Sequence, residues 1–221
     1  MKLSTQGMLD ILSHEGICLE PYLDSVGVWT IGAGQTASDG FNPRTAGKLT
    51  LQAVFDLFKR KIKSYTDAVD LLHLPLTQNQ YDALTSCCYN FGPGNLRTLC
   101  RNRSIAQIGE AIMLYTKPKE ITARRQKEQD LFKKGKYSNV AGKVLVFPVS
   151  ASHHPQYKLG YQIDARPYFG AVGPTLAKPS EATKGPLAPP IKPLSASPAP
   201  RAPSFLSSFF AAIAAAFTRK K

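Results

Sequence analysis

A chain of 221 residues, 43% of them apolar, can bury one substantial core with an appendage beyond it. The formal charge of +13 is uneven: residues 1–140 carry 18 Lys/Arg against 13 Asp/Glu, while residues 141–221 carry 10 against 2. The basic excess therefore belongs to the tail, where an anionic membrane surface is the expected partner, and nothing points to nucleic acid. Cys18, Cys87, Cys88 and Cys100 have no zinc-ligand spacing, and a vicinal pair such as Cys87-Cys88 rarely closes a disulfide. Buried free thiols are expected, with no metal and no cofactor. The start, Met1-Lys2-Leu3-Ser4-Thr5-Gln6, has no apolar h-region, so no secretory signal is predicted and the expected compartment is a reducing cytoplasm.

In chain order, Ser4 or Thr5 caps a predicted first helix with Met8, Ile11 and Leu12 on one face and Gly16 as its left-handed stop. Residues 17–41 hold glycines at 27, 32, 34 and 40 around Val26, Val28, Trp29 and Ile31, which favours short hairpin strands. Thr50 opens a helix bearing Val54, Leu57 and Phe58. The run Lys59-Arg60-Lys61 that follows is expected to be a solvated face complementing the helix C-terminus. Thr77-Gln78-Asn79-Gln80 and Ser104-Ile105-Ala106-Gln107 match the capping box. The first opens a helix with Ala83, Leu84, Cys87 and Cys88, stopped at Phe91-Gly92-Pro93-Gly94. A further helix runs from about Glu120 to a stop at Gly135. A small sheet followed by helices, without βαβ alternation, predicts an α+β domain over residues 1–140.

Beyond residue 140 the pattern changes. Residues 155–203 contain 11 of the chain's 17 prolines, so 141–204 is predicted to be a low-structure Ala/Pro/Lys-rich linker. Residues 205–217 are apolar and precede Thr218-Arg219-Lys220-Lys221. As a helix they span about 20 Å, short of the roughly 30 Å hydrocarbon core, which predicts a helix lying at a membrane interface rather than crossing it.

The chemistry concentrates in the first forty residues. Glu15 falls at a helix end, where the macrodipole disfavours a carboxylate, and a raised pKa suits a general acid. Asp24 stands in the turn Leu23-Asp24-Ser25-Val26-Gly27, and Thr30 lies in a strand between Trp29 and Ile31. Singly, helix-end glutamate, turn aspartate and strand threonine are ordinary. In order, two carboxyls and a hydroxyl able to hold water are the parts needed to cleave a glycosidic bond.

The runs Glu15-Gly16, Tyr22-Leu23-Asp24-Ser25-Val26-Gly27 and Trp29-Thr30-Ile31-Gly32-Ala33-Gly34 resemble the signature of phage-type lysozymes, glycoside hydrolase family 24. So do Leu76-Thr77-Gln78-Asn79-Gln80-Tyr81-Asp82-Ala83-Leu84, Tyr89-Asn90-Phe91-Gly92-Pro93-Gly94-Asn95-Leu96 and Thr122-Ala123-Arg124-Arg125-Gln126-Lys127-Glu128. The likeness covers residues 4–137. It implies a lysozyme-like fold, with a small hairpin sheet beside a helical lobe. It also implies a muramidase that hydrolyses the β-1,4 bond between N-acetylmuramic acid and N-acetylglucosamine in peptidoglycan, lysing the host. By the same resemblance Glu15 is the acid, Asp24 the charge-stabilising or water-activating carboxylate, and Thr30 the water holder. Tyr89 and Asn90 fall near the saccharide cleft, and Arg124 or Arg125 pairs with Glu15. The chain departs from the family at Gln35, where a histidine is usual, so altered stability or pH response is expected there.

The expected route is an endolysin made as a monomer in the host cytoplasm and acting in the periplasm. Other readings are a wall-remodelling muramidase of a secretion apparatus, or a lytic transglycosylase, which has no use for the Asp24/Thr30 pair. A reading of another class makes the basic, Phe/Ala-rich tail a membrane-disrupting module.

Overall fold

The computed structural model describes residues 1–170. Ser4 accepts the Gly7 amide and caps helix α1 (Thr5–His14), whose Leu9, Ile11 and Leu12 are buried. Gly16 does not supply a left-handed stop. Glu15 is the C-cap in extended backbone (φ −101°, ψ 144°), and Gly16 already begins strand β1 (Gly16–Leu23). The cause is sheet pairing: Gly16 and Ile17 lie opposite Leu145 and Val146 in a parallel ladder, so the chain must extend as soon as the helix ends.

Strand β1 pairs antiparallel with β2 (Trp29–Gly32), which pairs with β3 (Gln35–Thr36). The β1–β2 ladder sets Cys18 opposite Gly32, Tyr22 opposite Thr30 and Leu23 opposite Trp29, with a bulge between Cys18 and Tyr22. Gly32 sits at φ +65°, and a Cβ there would lie 2.4 Å from the Gln35 carboxamide oxygen, so only glycine fits.

Thr50 caps α2 (Leu51–Asp70) through the Ala53 amide, burying Val54, Phe55, Leu57 and Phe58. The Lys59–Lys61 run lies in mid-helix rather than at its C-terminus. Lys61 is mostly buried and donates to the Gly34 carbonyl (2.6 Å) and to Asp39 (3.0 Å), tying α2 to the tip of the β2–β3 hairpin. Lys59 donates to the Tyr168 carbonyl at 2.7 Å. The run is tied down because residues remote in sequence present acceptors above it.

Helix α3 (Gln78–Cys100) opens on the Thr77–Gln80 capping box. Gly92 (φ 84°, ψ 163°) interrupts it, but helix resumes at once with Pro93 in the first-turn place where its missing N–H is harmless. The Phe91–Gly94 sequence is thus a break, not an end. The Ser104–Gln107 box opens α4 (Ile105–Ala111), and α5 (Thr122–Lys134) ends on left-handed Gly135. One core gathers Leu84, Cys87 and Leu99 of α3, Ile108 of α4 and Leu131 and Phe132 of α5. A second gathers Leu9, Ile11 and Leu12 of α1 with Ile17, Val54, Phe55 and Phe58. All four cysteines are buried and free.

Residues 141–170 overturn the predicted boundary at 140. Strands β4 (Lys143–Val146) and β5 (Tyr161–Asp164) pair antiparallel and extend the sheet beyond β1, giving the order β3-β2-β1-β4-β5. Val144 and Val146 enter the second core. Phe147, 1% exposed, covers Cys18 and Tyr22 and meets the Tyr157 ring at 5.4 Å between centroids. Two four-residue strands give too few alternations for a period to show, and these residues are held by a long-range ladder rather than by local propensity. The rest of the predicted linker, 171–204, and the predicted apolar helix, 205–221, lie outside the described residues.

If residues 141–170 are part of the domain, Phe147→Ala should lower unfolding free energy by about 3–5 kcal/mol in guanidinium titration. A change near zero would mark this segment as a dispensable linker.

Candidate active site

Glu15 projects from the end of α1 and is 6% exposed. Its Oε1 accepts from Arg124 Nη1 at 2.7 Å, so of the two candidate arginines Arg124 is its partner. Arg124 Nε also donates to Glu128 Oε1 at 3.0 Å, one helical turn away on α5. Arg125 meets Glu128 Oε2 at 2.5 Å and donates to the Asn90 side chain. Ser86 Oγ donates to Glu128 Oε1 at 2.6 Å, and Arg124 Nη2 reaches the Ser86 carbonyl at 3.3 Å. Two carboxyls and two guanidiniums, each no more than 6% exposed, thus join the end of α1 to α3 and α5.

Burial pushes the Glu15 carboxyl above its ordinary value, and the Arg124 charge, pulling the other way, does not overcome it. Burial, reinforced by Arg124, Lys127 and Arg125, holds neighbouring His14 well below the usual imidazole range, so that ring stays neutral.

Asp24 is 6% exposed and begins the turn between β1 and β2. Its Oδ1 accepts the Val26 amide at 2.9 Å and the Val28 amide at 2.8 Å, an Asx-type arrangement. Its Oδ2 is buried and has no hydrogen-bond partner among the described residues. One oxygen builds the turn and the other stays unpaired among the described residues. Thr30, fully buried, donates to the Val28 carbonyl at 3.0 Å. As the cross-strand partner of Tyr22 it shares a face of the sheet with that ring. Tyr22 Oη is likewise buried without a partner among the described residues. Burial first, then Cys18, Tyr157, Glu15 and Asp24, drive its hydroxyl well above the usual range.

Tyr89 and Asn90 are both buried, and their recorded contacts are with protein. Tyr89 Oη donates to the Ala33 carbonyl at 2.7 Å, and Asn90 Oδ1 accepts from Arg125. Gln35 Oε1 accepts the Ala33 amide at 2.8 Å, holding the glycine-flanked hairpin end. Sequence reasoning assigned no role to Glu128, Ser86 or Tyr22. Glu128 had a signal, since it stands four and three residues beyond Arg124 and Arg125 on one helix; Ser86 and Tyr22 had none. No group of three or more His, Cys, Asp or Glu among the described residues has the arrangement to hold a metal ion.

Raised by burial, Glu15 contributes stability that is greatest below the ordinary carboxylate value and is lost as pH rises through the raised one. Glu15→Gln keeps the shape without the charge. Its stability relative to wild type should therefore rise as pH increases from the ordinary carboxylate range through the raised one, in thermal or denaturant unfolding. A pH-independent difference would mean that Arg124 fully compensates the buried charge.

Comparison with known proteins agrees with this geometry. The sequence model of the family described as phage lysozyme matches residues 12–128. The endolysin of Salmonella phage P22 is 32% identical over 143 residues, covering 60% of this chain and 98% of the relative. Among solved structures, an endolysin from Escherichia coli O157:H7 phage FAHEc1 superposes with a TM-score of 0.58 at 28% identity, covering 63% of this chain and 98% of that one. A P22 lysozyme mutant gives a TM-score of 0.52 at 33% identity, covering 60% and 98%. With a family match spanning both Glu15 and Arg124, and a lysozyme-like α+β fold, this chain belongs to the phage lysozyme family.

Proposed function

We propose that this peptidoglycan-hydrolysing endolysin cleaves the β-1,4 bond between N-acetylmuramic acid and N-acetylglucosamine with inversion, using Glu15 as general acid. The observation that carries the reading is the environment of Glu15, a carboxyl whose burial favours its protonated form although a guanidinium lies 2.7 Å away. Protonated, Glu15 gives its proton to the leaving glycosidic oxygen. Asp24 Oδ2, unpaired beside a turn that fixes Oδ1, faces the positive charge developing at the anomeric carbon or takes a proton from the attacking water. Thr30 Oγ1 gives its proton to the Val28 carbonyl and so presents lone pairs to a water. That water attacks from the face opposite the leaving group. Arg124 restrains the Glu15 rotamer and meets the carboxylate once the proton has left.

Tyr89 and Asn90 act indirectly in this scheme. Tyr89 holds the Ala33 carbonyl and Asn90 holds Arg125, so they shape the wall of the site rather than grip saccharide. The reaction requires no metal or cofactor.

Purified peptidoglycan tests the scheme by turbidity clearing. Glu15→Gln should lose about 10³-fold or more in kcat. Asp24→Asn should lose about 10²-fold or more, and Thr30→Ala less, as one water contact is removed. Mass spectrometry should show hydrolysed reducing ends; 1,6-anhydro ends would sink the assignment as a hydrolase.

Finer points rest on sequence. The basic balance of residues 141–221 and the apolar run 205–217 before Arg219-Lys220-Lys221 support contact of the tail with an anionic membrane surface, the enzyme acting as a monomer. The expected route runs from the host cytoplasm to the periplasm. Among the described residues no helix is long and apolar enough to cross a membrane. In vesicle co-sedimentation, full-length protein should bind phosphatidylglycerol vesicles and release from them at high salt, whereas a chain ending at residue 170 should not bind.

A further inference from the structure

Residues 143–157 close against the hairpin that carries Asp24 and Thr30, although the family match ends at residue 128. Within that segment the Val149–Pro155 bridge frames a tight loop, in which Ser150 N donates to the His154 carbonyl and His153 N to the Ser150 carbonyl, both at 2.9 Å. His153 stands at its tip with φ +60°, in the left-handed region that a non-glycine residue enters at some cost. Both parts of this residue meet the hairpin. Its carbonyl accepts the Leu23 amide at 2.8 Å, and its ring stands edge-on to Trp29 with centroids 4.8 Å apart.

Leu23 and Trp29 are cross-strand partners, the last pair before the chain turns through Asp24. The turn is closed by Asp24 N donating to the Val28 carbonyl and by the two amides on Asp24 Oδ1. A residue gripping both arms at that pair controls the direction in which the free Oδ2 points. Trp29 also meets the exposed Arg44 guanidinium, 5.7 Å from the ring centre. A carboxylate carried on a turn depends on what holds the base of that turn, and small misplacements of a reacting group are expensive in rate.

We propose that His153 is a positioning residue for the hydrolytic reaction: through Leu23 and Trp29 it clamps the base of the Asp24 turn and aims the Asp24 carboxylate. The assignment rests on the catalytic roles proposed above for Glu15 and Asp24. The clamp is a feature of this chain's C-terminal segment rather than of the matched family region.

The full chain provides a clean test, because His153 is exposed and its replacement removes no core side chain. Trp29 is the only tryptophan, so its emission reports the contact directly. His153→Ala should change Trp29 emission, leave Tm within about a degree, and lower kcat on purified peptidoglycan by about tenfold with KM within about twofold. His153→Phe restores an aromatic edge against Trp29 and should recover most of the lost kcat. The proposal is overturned by unchanged Trp29 emission, by unchanged kcat, by a defect confined to KM, or by a rate loss that merely follows a fall in Tm. Glu15→Gln assayed alongside separates the two levels of inference. Activity that survives Glu15→Gln overturns the site itself, and the clamp with it. Activity lost in Glu15→Gln but intact in His153→Ala overturns the clamp alone.

Discussion

The structure depends on a buried group of four charges. Glu15, Arg124, Glu128 and Arg125 form a linked, electrically balanced set in which no residue is more than 6% exposed. Charges brought out of water need partners of opposite sign and donors or acceptors for what remains. Ser86 and Asn90 of α3 supply part of that need. Because the four come from α1 and α5, with α3 between, satisfying them forces the end of the first helix against the helical lobe. That requirement positions Glu15 more firmly than helix propensity does.

Balance within the set does not imply equal comfort for each member. Arg124 is shared between two carboxyls, and among the described residues the Glu15 side chain accepts from Arg124 alone while being almost wholly buried. Glu128 accepts from Arg124 and Ser86 and pairs with Arg125. The same network therefore contains one well-supplied carboxylate and, in Glu15, a carboxyl that burial pushes above its ordinary value. The neutral His14 beside them avoids adding a third positive charge.

The hairpin solves a different problem. Asp24 serves a local purpose with one oxygen and leaves the other without a partner among the described residues, so one side chain both builds the turn and keeps a free acceptor. The segment between strands β4 and β5 buries Cys18 and Tyr22 under Phe147 and Tyr157 and meets the hairpin base through His153. The phage lysozyme family region ends before this segment, yet the sheet of this chain runs through it.

Much of the local structure was legible by itself. Ser4, Thr50, Thr77 and Ser104 each cap the helix they were expected to open, and Gly135 ends α5, because capping is decided within four residues. The order of Glu15, Asp24 and Thr30 was also legible, since the ordered motifs carry it. Gly16 and Lys61 were misjudged because acceptors and strand partners from 22 to 129 residues away override their local preferences. Residues 143–164 looked irregular for the same reason, as their partners are Gly16, Ile17 and each other. The sequence by itself determined where the helices open, the stop at Gly135 and the composition of the hairpin, all encoded at short range. Only the tertiary structure decided that Arg124 rather than Arg125 meets Glu15, that burial outweighs that pairing, and that the sheet continues past residue 140. Those outcomes depend on distances between residues remote in the chain, and no local pattern contains them.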